Sequence, residues 1–188
     1  MATKPIPTPE QLRQLVRYEA DTGKLFWLPR DVSWFTDRWN TAQSSCRTWN
    51  TKNAGREAFS TSRRGYLCGP VLNTVIPAHR AAWAIYYGSW PVKNIDHING
   101  DRSDNRIYNL RDVDQSVNLK NSRMSTRNTS GVPGVYWCKT SNNWRAQIKV
   151  DGKVNYLGSF KMIEDARVAR KQAEARMGFH PNHGRQGQ

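Results

Sequence analysis

Acidic side chains are scarce in this chain: 15 Asp and Glu stand against 29 Lys and Arg, which leaves a formal charge of +14. A surface with that excess attracts polyanions and releases their counterions, so it points to nucleic acid or an anionic membrane as the partner. Long apolar runs are missing as well. No stretch approaches the roughly 20 apolar residues that span a bilayer, and Met1-Ala2-Thr3-Lys4-Pro5 lacks the apolar core of a secretion signal. The expectation is a soluble, cytoplasmic protein with no membrane partner. Cysteine is sparse: Cys46, Cys68 and Cys138 are odd in number and widely spaced, which excludes a disulfide framework and the paired-cysteine pattern of a zinc site. An apolar content of 37% and a mean hydropathy of −0.80 argue for two small modules over one large globule.

The positive charge is unevenly spread. From Leu119 to Gln188 there are 13 Lys and Arg against 4 Asp and Glu, so this part of the chain carries nine of the fourteen net charges. Thr8-Pro9-Glu10-Gln11 forms a capping box with proline at the first helical position, and Leu12, Leu15 and Val16 follow at helical spacing. The spacing predicts a helix to about Ala20, a turn at Asp21-Thr22-Gly23 and a strand from Lys24 to Leu28. Residues 29–58 have no clear period; Trp27, Trp34, Phe35, Trp39 and Trp49 either staple this stretch to a core or stack on bases. Gly65 to Leu67 and Val71 to Ile76 read as strands, Pro77 to Gly88 as a helix, Val92 to His97 as a strand and Val113 to Asn121 as a short helix. Residues 122–130, rich in Ser, Thr, Asn and Arg, read as a basic linker.

Between strand and helix lies Ile95-Asp96-His97-Ile98-Asn99-Gly100-Asp101, followed by Asp104-Asn105-Arg106, Asn109-Leu110-Arg111 and Asn118. Hydrolysis of a phosphodiester needs a base to deprotonate water and a cation to hold the developing charge. His97 suits the first task, because its unperturbed pKa lies near working pH. Asp96 and Asn118 suit the second, since carboxylate and amide oxygens are hard ligands that favour Mg²⁺ or Mn²⁺ over zinc and leave positions for water and phosphate. Asn109 is placed to hydrogen-bond the other ring nitrogen of His97 and fix its tautomer.

These residues, with His79-Arg80 ahead of them, resemble the HNH homing endonucleases of bacteriophages over about Phe59 to Asn121. The resemblance implies a ββα-metal fold in which the residues matching Asp96 and Asn118 bind one divalent ion, His97 acts as general base and Asn109 orients it. Many members have histidine at the position of Asn118, so this chain is similar to the asparagine-bearing variant, which favours magnesium over zinc or nickel. His79 either packs under the site or meets a phosphate; the packing role is preferred, because family members carry it before an apolar helix. Arg80, Arg102, Arg106 and Arg111 are candidate phosphate contacts, with solvated surface as the alternative.

Beyond residue 130, Val135 to Lys139, Trp144 to Val150 and Val154 to Phe160 alternate in polarity, with Asp151-Gly152 as a hairpin turn, and a helix follows from Ile163 to Met177. Alternation sends Trp144, Ala146 and Ile148 towards the helix and Arg145, Gln147 and Lys149 to the other face. Gly134-Val135-Tyr136, Trp144 to Lys149 and Tyr156 to Phe160 are similar to the plant APETALA and ethylene-response-factor type DNA-binding domain, over about Gly131 to Gly178. That resemblance implies a sheet lying in the major groove, with Tyr136, Gln147, Lys149 and Tyr156 at the contact positions and Lys139 near another. Plant members carry arginine at several positions that are Tyr136 and Cys138 here, so their target sequence does not transfer.

The expected fold is α+β: an N-terminal extension (1–58), a ββα-metal nuclease module (59–121), the basic linker (122–130) and a three-stranded antiparallel sheet packed on one helix (131–188). The expected activity is site-specific cleavage of double-stranded DNA by a monomer with no protein partner, one strand per encounter. The main alternative is a non-catalytic DNA-binding regulator that retains the nuclease-like fold; a structured-RNA binder rests on charge and aromatics alone.

Overall fold

The computed structural model describes residues 5–186, so the reading of Met1 to Lys4 as free of a signal core lies outside the described residues. The chain is a mixed α/β protein of small sheets and, among the described residues, five α-helices, and it divides into two compact units between Asp112 and Val113. Among the described residues no helix is long and apolar enough to cross a membrane.

The first unit starts with α1 (Pro9–Leu15), whose capping box forms as the sequence predicts, with the Thr8 hydroxyl accepting from Gln11 N–H and the Gln11 side chain accepting from Thr8 N–H. The helix stops at Leu15 and not near Ala20. Val16 is at once its C-cap and the first residue of β1 (Val16–Glu19), because pairing with β2 (Lys24–Trp27), Val16 opposite Trp27, wins over the local helical spacing. β3 (Glu57–Ala58) adds to β2 and closes a three-stranded sheet. Within the stretch without period lies a 12-residue helix, α2 (Ala42–Asn53), opened by the Thr41 hydroxyl on Ser44 N–H.

A second sheet joins β4 (Thr61–Arg63), β5 (Tyr66–Val71) and β6 (Thr74–Pro77). The expected strand from Val71 to Ile76 is interrupted by Leu72 and Asn73, which take left-handed φ of 47° and 65° and make a two-residue hairpin turn. α3 (Ala78–Tyr87) ends on Gly88 at φ 75°, the left-handed stop its sequence predicts. Its Ala78, Ala81 and Ala84 join Leu12, Leu15, Val16, Leu25, Phe59, Val71 and Ile76 in one core. Leu12, Leu15, Val16, Leu25 and Ala58 thus share one hydrophobic core with the strands after them, and the expected N-terminal extension belongs to the same compact unit. β7 (Asn94–His97) and β8 (Leu110–Val113) form a two-stranded sheet, seated through Ile95 and Leu110 on Ala82 of α3. The sequence pattern does not predict β8.

The second unit holds α4 (Gln115–Leu119) and a meander of β9 (Val135–Cys138), β10 (Asn143–Val150) and β11 (Lys153–Phe160), followed by α5 (Ile163–Arg176). Asp151 and Gly152, at φ 49° and 80°, form the tight turn between the long strands. Ala146 and Ile148 are buried, and Ala146 packs with Val132, Val135 and Ala166. Residues 122–130 are stitched to the C-terminal segment: Gly184 N–H donates to Ser122 O at 2.9 Å, Met124 N–H to Arg185 O at 3.0 Å and the Arg185 guanidinium to Asn121 O at 2.7 Å. A free linker would leave these groups to water, so the stretch is part of the unit. At its centre sits a buried ionic cluster in which Arg170 Nε donates to Glu174 Oε1 at 3.0 Å, Arg170 also lies 3.3 Å from His183 Nε2, and a second guanidinium nitrogen of Arg170 donates to Gln147 O.

Candidate active site

β7 carries Ile95, Asp96 and His97, all three buried, into a loop that runs to Asn109. Side chains bonding to backbone hold this loop. Gly100 N–H closes a turn on His97 O, Asn99 accepts from Asp101 N–H, and Asp101 accepts from both N–H and hydroxyl of Ser103. Asp104 grips Arg106 through Nε at 2.7 Å and accepts from the Asn99 amide at 2.7 Å. Ser103 holds the Asp101 carboxyl below its ordinary range, and the Arg106 guanidinium does the same for Asp104.

The amide that meets the imidazole is Asn105, where the sequence reading expected Asn109. Asn105 Oδ1 lies 3.3 Å from His97 Nε2, while its Nδ2 donates to Ser103 O at 3.1 Å. A carbonyl oxygen only accepts, so that second bond fixes which end of the amide is nitrogen. Oδ1 then faces the ring, and the Nε2 it faces donates to it as N–H. Asn109 acts on the loop backbone: its Oδ1 accepts from Asn99 N–H at 2.9 Å and its Nδ2 donates to Asp104 O at 2.8 Å. Nothing in the spacing distinguishes the two asparagines.

The N-terminal part of the chain holds Asn105 in place. The Tyr18 hydroxyl donates to Asn105 O at 2.7 Å, and Ile107 N–H donates to Ala20 O. At the turn between β1 and β2, Gly23 has φ 74°, and a β-carbon there would lie 2.5 Å from Arg106 N and 2.7 Å from the Asn105 carbonyl carbon. Only glycine lets the loop come this close.

His97 is held below its ordinary pKa, chiefly by burial, against the opposing pull of Asn105, Asp96, Asp101 and Asp104. Burial thus favours the neutral ring, the form that can accept a proton. His79 stands edge-on to it, ring centroids 5.2 Å apart, and burial pushes its pKa down to about 3. Tyr66 packs on both rings. His79 thus takes the packing position against the imidazole.

Asp96 accepts both Nε (2.9 Å) and a terminal nitrogen (2.7 Å) of Arg111 on one oxygen, Oδ2. Arg111 therefore serves the carboxylate, and the other arginines expected at phosphates also have partners inside the protein. Arg102 donates to Arg64 O and lies over the Tyr66 ring, Arg106 is paired with Asp104, and Arg80 reaches Pro91 O and Lys93 O. Among the described residues no group of three or more His, Cys, Asp or Glu gathers to hold a metal. The donor chemistry near Asp96 is a hard oxygen, which suits an oxygen-preferring cation that fills its remaining positions with amide, water and phosphate. Asn118 is the fourth residue of α4, in the second unit.

In the second unit, β-sheet register brings the expected contact residues onto one face. Arg145 pairs with Tyr136 on one side and Ser159 on the other, Gln147 with Tyr156, and Lys149 with Val154. Tyr136, Lys149 and Tyr156 are exposed, as is Lys139 just past β9. A bulge at Leu157 shifts the register between Ala146 and Gln147, which lets Leu157 join the core while Tyr156 faces out. Trp144 packs against Trp137 at 5.3 Å and supports the sheet.

Residues 77–120 match the family model described as HNH endonuclease. A 70-residue stretch is 33% identical to "Protein 3.8" of Escherichia phage T7, covering 37% of this chain and 58% of that protein's length. No solved structure matches the chain. The buried imidazole and its adjoining carboxylate lie inside the matched segment, and by that match the chain carries an HNH endonuclease domain at residues 77–120.

Proposed function

We propose that this protein is a site-specific DNA endonuclease of the homing type that hydrolyses a phosphodiester bond in double-stranded DNA. The observation that carries the reading is the buried His97 ring beside Asp96, with Nε2 on the Asn105 amide and burial favouring the neutral form that can accept a proton. His97 takes the proton of the attacking water, and Asn105 stabilises the imidazolium that results. Asn109 holds the loop backbone around the histidine. The residues that would hold one Mg²⁺, or Mn²⁺ in its place, are Asp96 and, by the resemblance, Asn118. The cation supplies stabilisation of the charge that develops on the phosphorus and leaving oxygens. With one such site per chain, a monomer nicks one strand at each encounter. The C-terminal sheet presents Tyr136, Arg145, Gln147, Lys149 and Tyr156 to a DNA groove in the manner of the APETALA-type domains, with Lys139 beside them.

One observation favours a second reading, a DNA-binding regulator without chemistry: Arg111 occupies Oδ2 of the carboxylate assigned to the metal. Supercoiled plasmid carrying the target region separates the two. Wild type with Mg²⁺ is expected to convert it to the nicked form, and His97→Ala is expected to be about 10²–10⁴-fold slower while still retarding the DNA. Retardation by wild type with no divalent-dependent nicking establishes the regulator.

A further inference from the structure

α2 and the residues that lead into it take no part in the site described above, yet they form an exposed stretch of the first unit that carries cations and no acid. From Arg38 to Arg56 there are four cationic side chains, Arg38, Arg47, Lys52 and Arg56, and no Asp or Glu. All four are exposed, and among the described residues none of their side chains makes a hydrogen bond or an ion pair. The outward face of the helix presents Gln43, Ser44, Arg47, Thr48, Thr51 and Lys52, every one exposed and every one a hydrogen-bond donor.

The inward side is fastened by an unusual anchor. Asn50 bonds both N–H and C=O of Arg30, at 2.8 and 2.9 Å, and the Cys46 thiol donates to the same carbonyl at 3.2 Å. The Arg30 guanidinium then lies 3.8 Å from the centroid of the Trp49 ring and 5.5 Å from that of Trp27, and Trp49 meets Trp27 edge to face. A helix with so small a buried stripe gains little from apolar packing, so these polar and aromatic contacts are what hold it rigid with its polar face outward. Just ahead of it Trp39 is 98% exposed, beside Arg38. A Trp left wholly in water next to an arginine suits a partner that combines negative charge with flat apolar surface.

We infer that α2, with Arg38 and Trp39 at its foot, is a second DNA-reading element, one that lies in a groove of duplex DNA. A 12-residue helix is about 18 Å long and fits the major groove, about 12 Å wide. Arg47 and Lys52 meet phosphates, Gln43, Ser44 and Thr48 meet base edges, and Trp39 wedges at a base step. The inference rests on the reading of the protein as DNA-acting and adds a contact surface to it.

The test is the affinity of the full chain for a 30-base-pair duplex across a salt series. The double variant Arg47→Ala/Lys52→Ala is expected to bind about 30-fold more weakly at physiological salt, with a salt slope shallower by about two, as loss of two phosphate contacts requires. Trp39→Ala is expected to bind about tenfold more weakly with the slope unchanged, because an uncharged ring releases no counterions. Helical circular dichroism and the melting temperature confirm that each variant folds; should the alanine pair melt early, Arg47→Gln/Lys52→Gln takes its place. Wild-type affinity and slope in the double variant overturn the inference and leave the DNA-acting reading intact. A loss confined to an RNA hairpin overturns it too. If wild type fails to bind duplex at all, the reading beneath it falls as well.

Discussion

The two units hold the same chemical kit in opposite settings. In the first, a carboxylate (Asp96), an arginine (Arg111) and a histidine (His97) come together where a strand passes into a polar loop; in the second, Glu174, Arg170 and His183 do so between a helix and the C-terminal segment. The side chains of Glu174, Arg170 and His183 are all at most 8% exposed. Asp96 is equally buried, but Arg111 is 31% exposed, and the imidazole beside it is bonded to an amide of its own loop. A cluster whose three members are all buried holds the fold together, since removing one of them strands a buried charge. A half-open one can exchange partners: an arginine that reaches solvent can release its carboxylate to a cation without stranding a buried charge.

Stability separates the two most strongly. Glu174→Ala leaves Arg170 buried beside a neutral residue and is expected to cost about 3–5 kcal/mol in chemical denaturation. Asp96→Ala is expected to cost about 1 kcal/mol, because Arg111 turns to water. If the two rank in the reverse order, the distinction between sealed and open is wrong.

Asn105→Leu sharpens the assignment on the catalytic side. Removing the acceptor at His97 Nε2 frees the tautomer, and nicking is expected to slow about 10–100-fold at unchanged DNA affinity. Nitrogen-15 shifts of the ring supply a readout that mere loosening would not move: wild type shows the proton on Nε2, and the variant a mixture.

Acid should weaken the first unit through His79, whose pKa burial lowers from 6.5 to about 3. The unfolded chain takes up that proton first, so the stability is complete above pH 6.5 and is lost as pH falls from there towards 3. Between pH 6.5 and 5 the loss is about 2 kcal/mol, seen as a lower denaturant midpoint, and His79→Phe is expected to remove it. The smallest effect belongs to the second unit: Lys171 bonds the other oxygen of Glu174 but is 55% exposed, and Lys171→Ala is expected to cost below about 1 kcal/mol.

How much of this was legible depended on how local the cause is. The three C-terminal strands run nearly where alternation places them, because the Asp151-Gly152 turn and the flanking pattern act over a few residues. α2 is illegible for the opposite reason: Cys46 is its one buried residue, so no apolar stripe marks it. At the site, the histidine and its neighbouring acid could be named from the motif, whereas the choice of Asn105 over Asn109 is made by Tyr18 and Gly23, more than eighty residues away in sequence. The Arg111 pairing follows from β8 lying beside β7, and that strand was not anticipated.

The contact at Gly23 reaches beyond local packing. A turn near the start of the chain rests against the peptide that bears Asn105, and Asn105 in turn rests against the imidazole. The turn at Gly23 and the Tyr18 hydroxyl are thus a backstop for the amide that meets the imidazole. A fragment trimmed to the family-matched segment would keep every residue of the motif and lose the surface against which the motif is aimed.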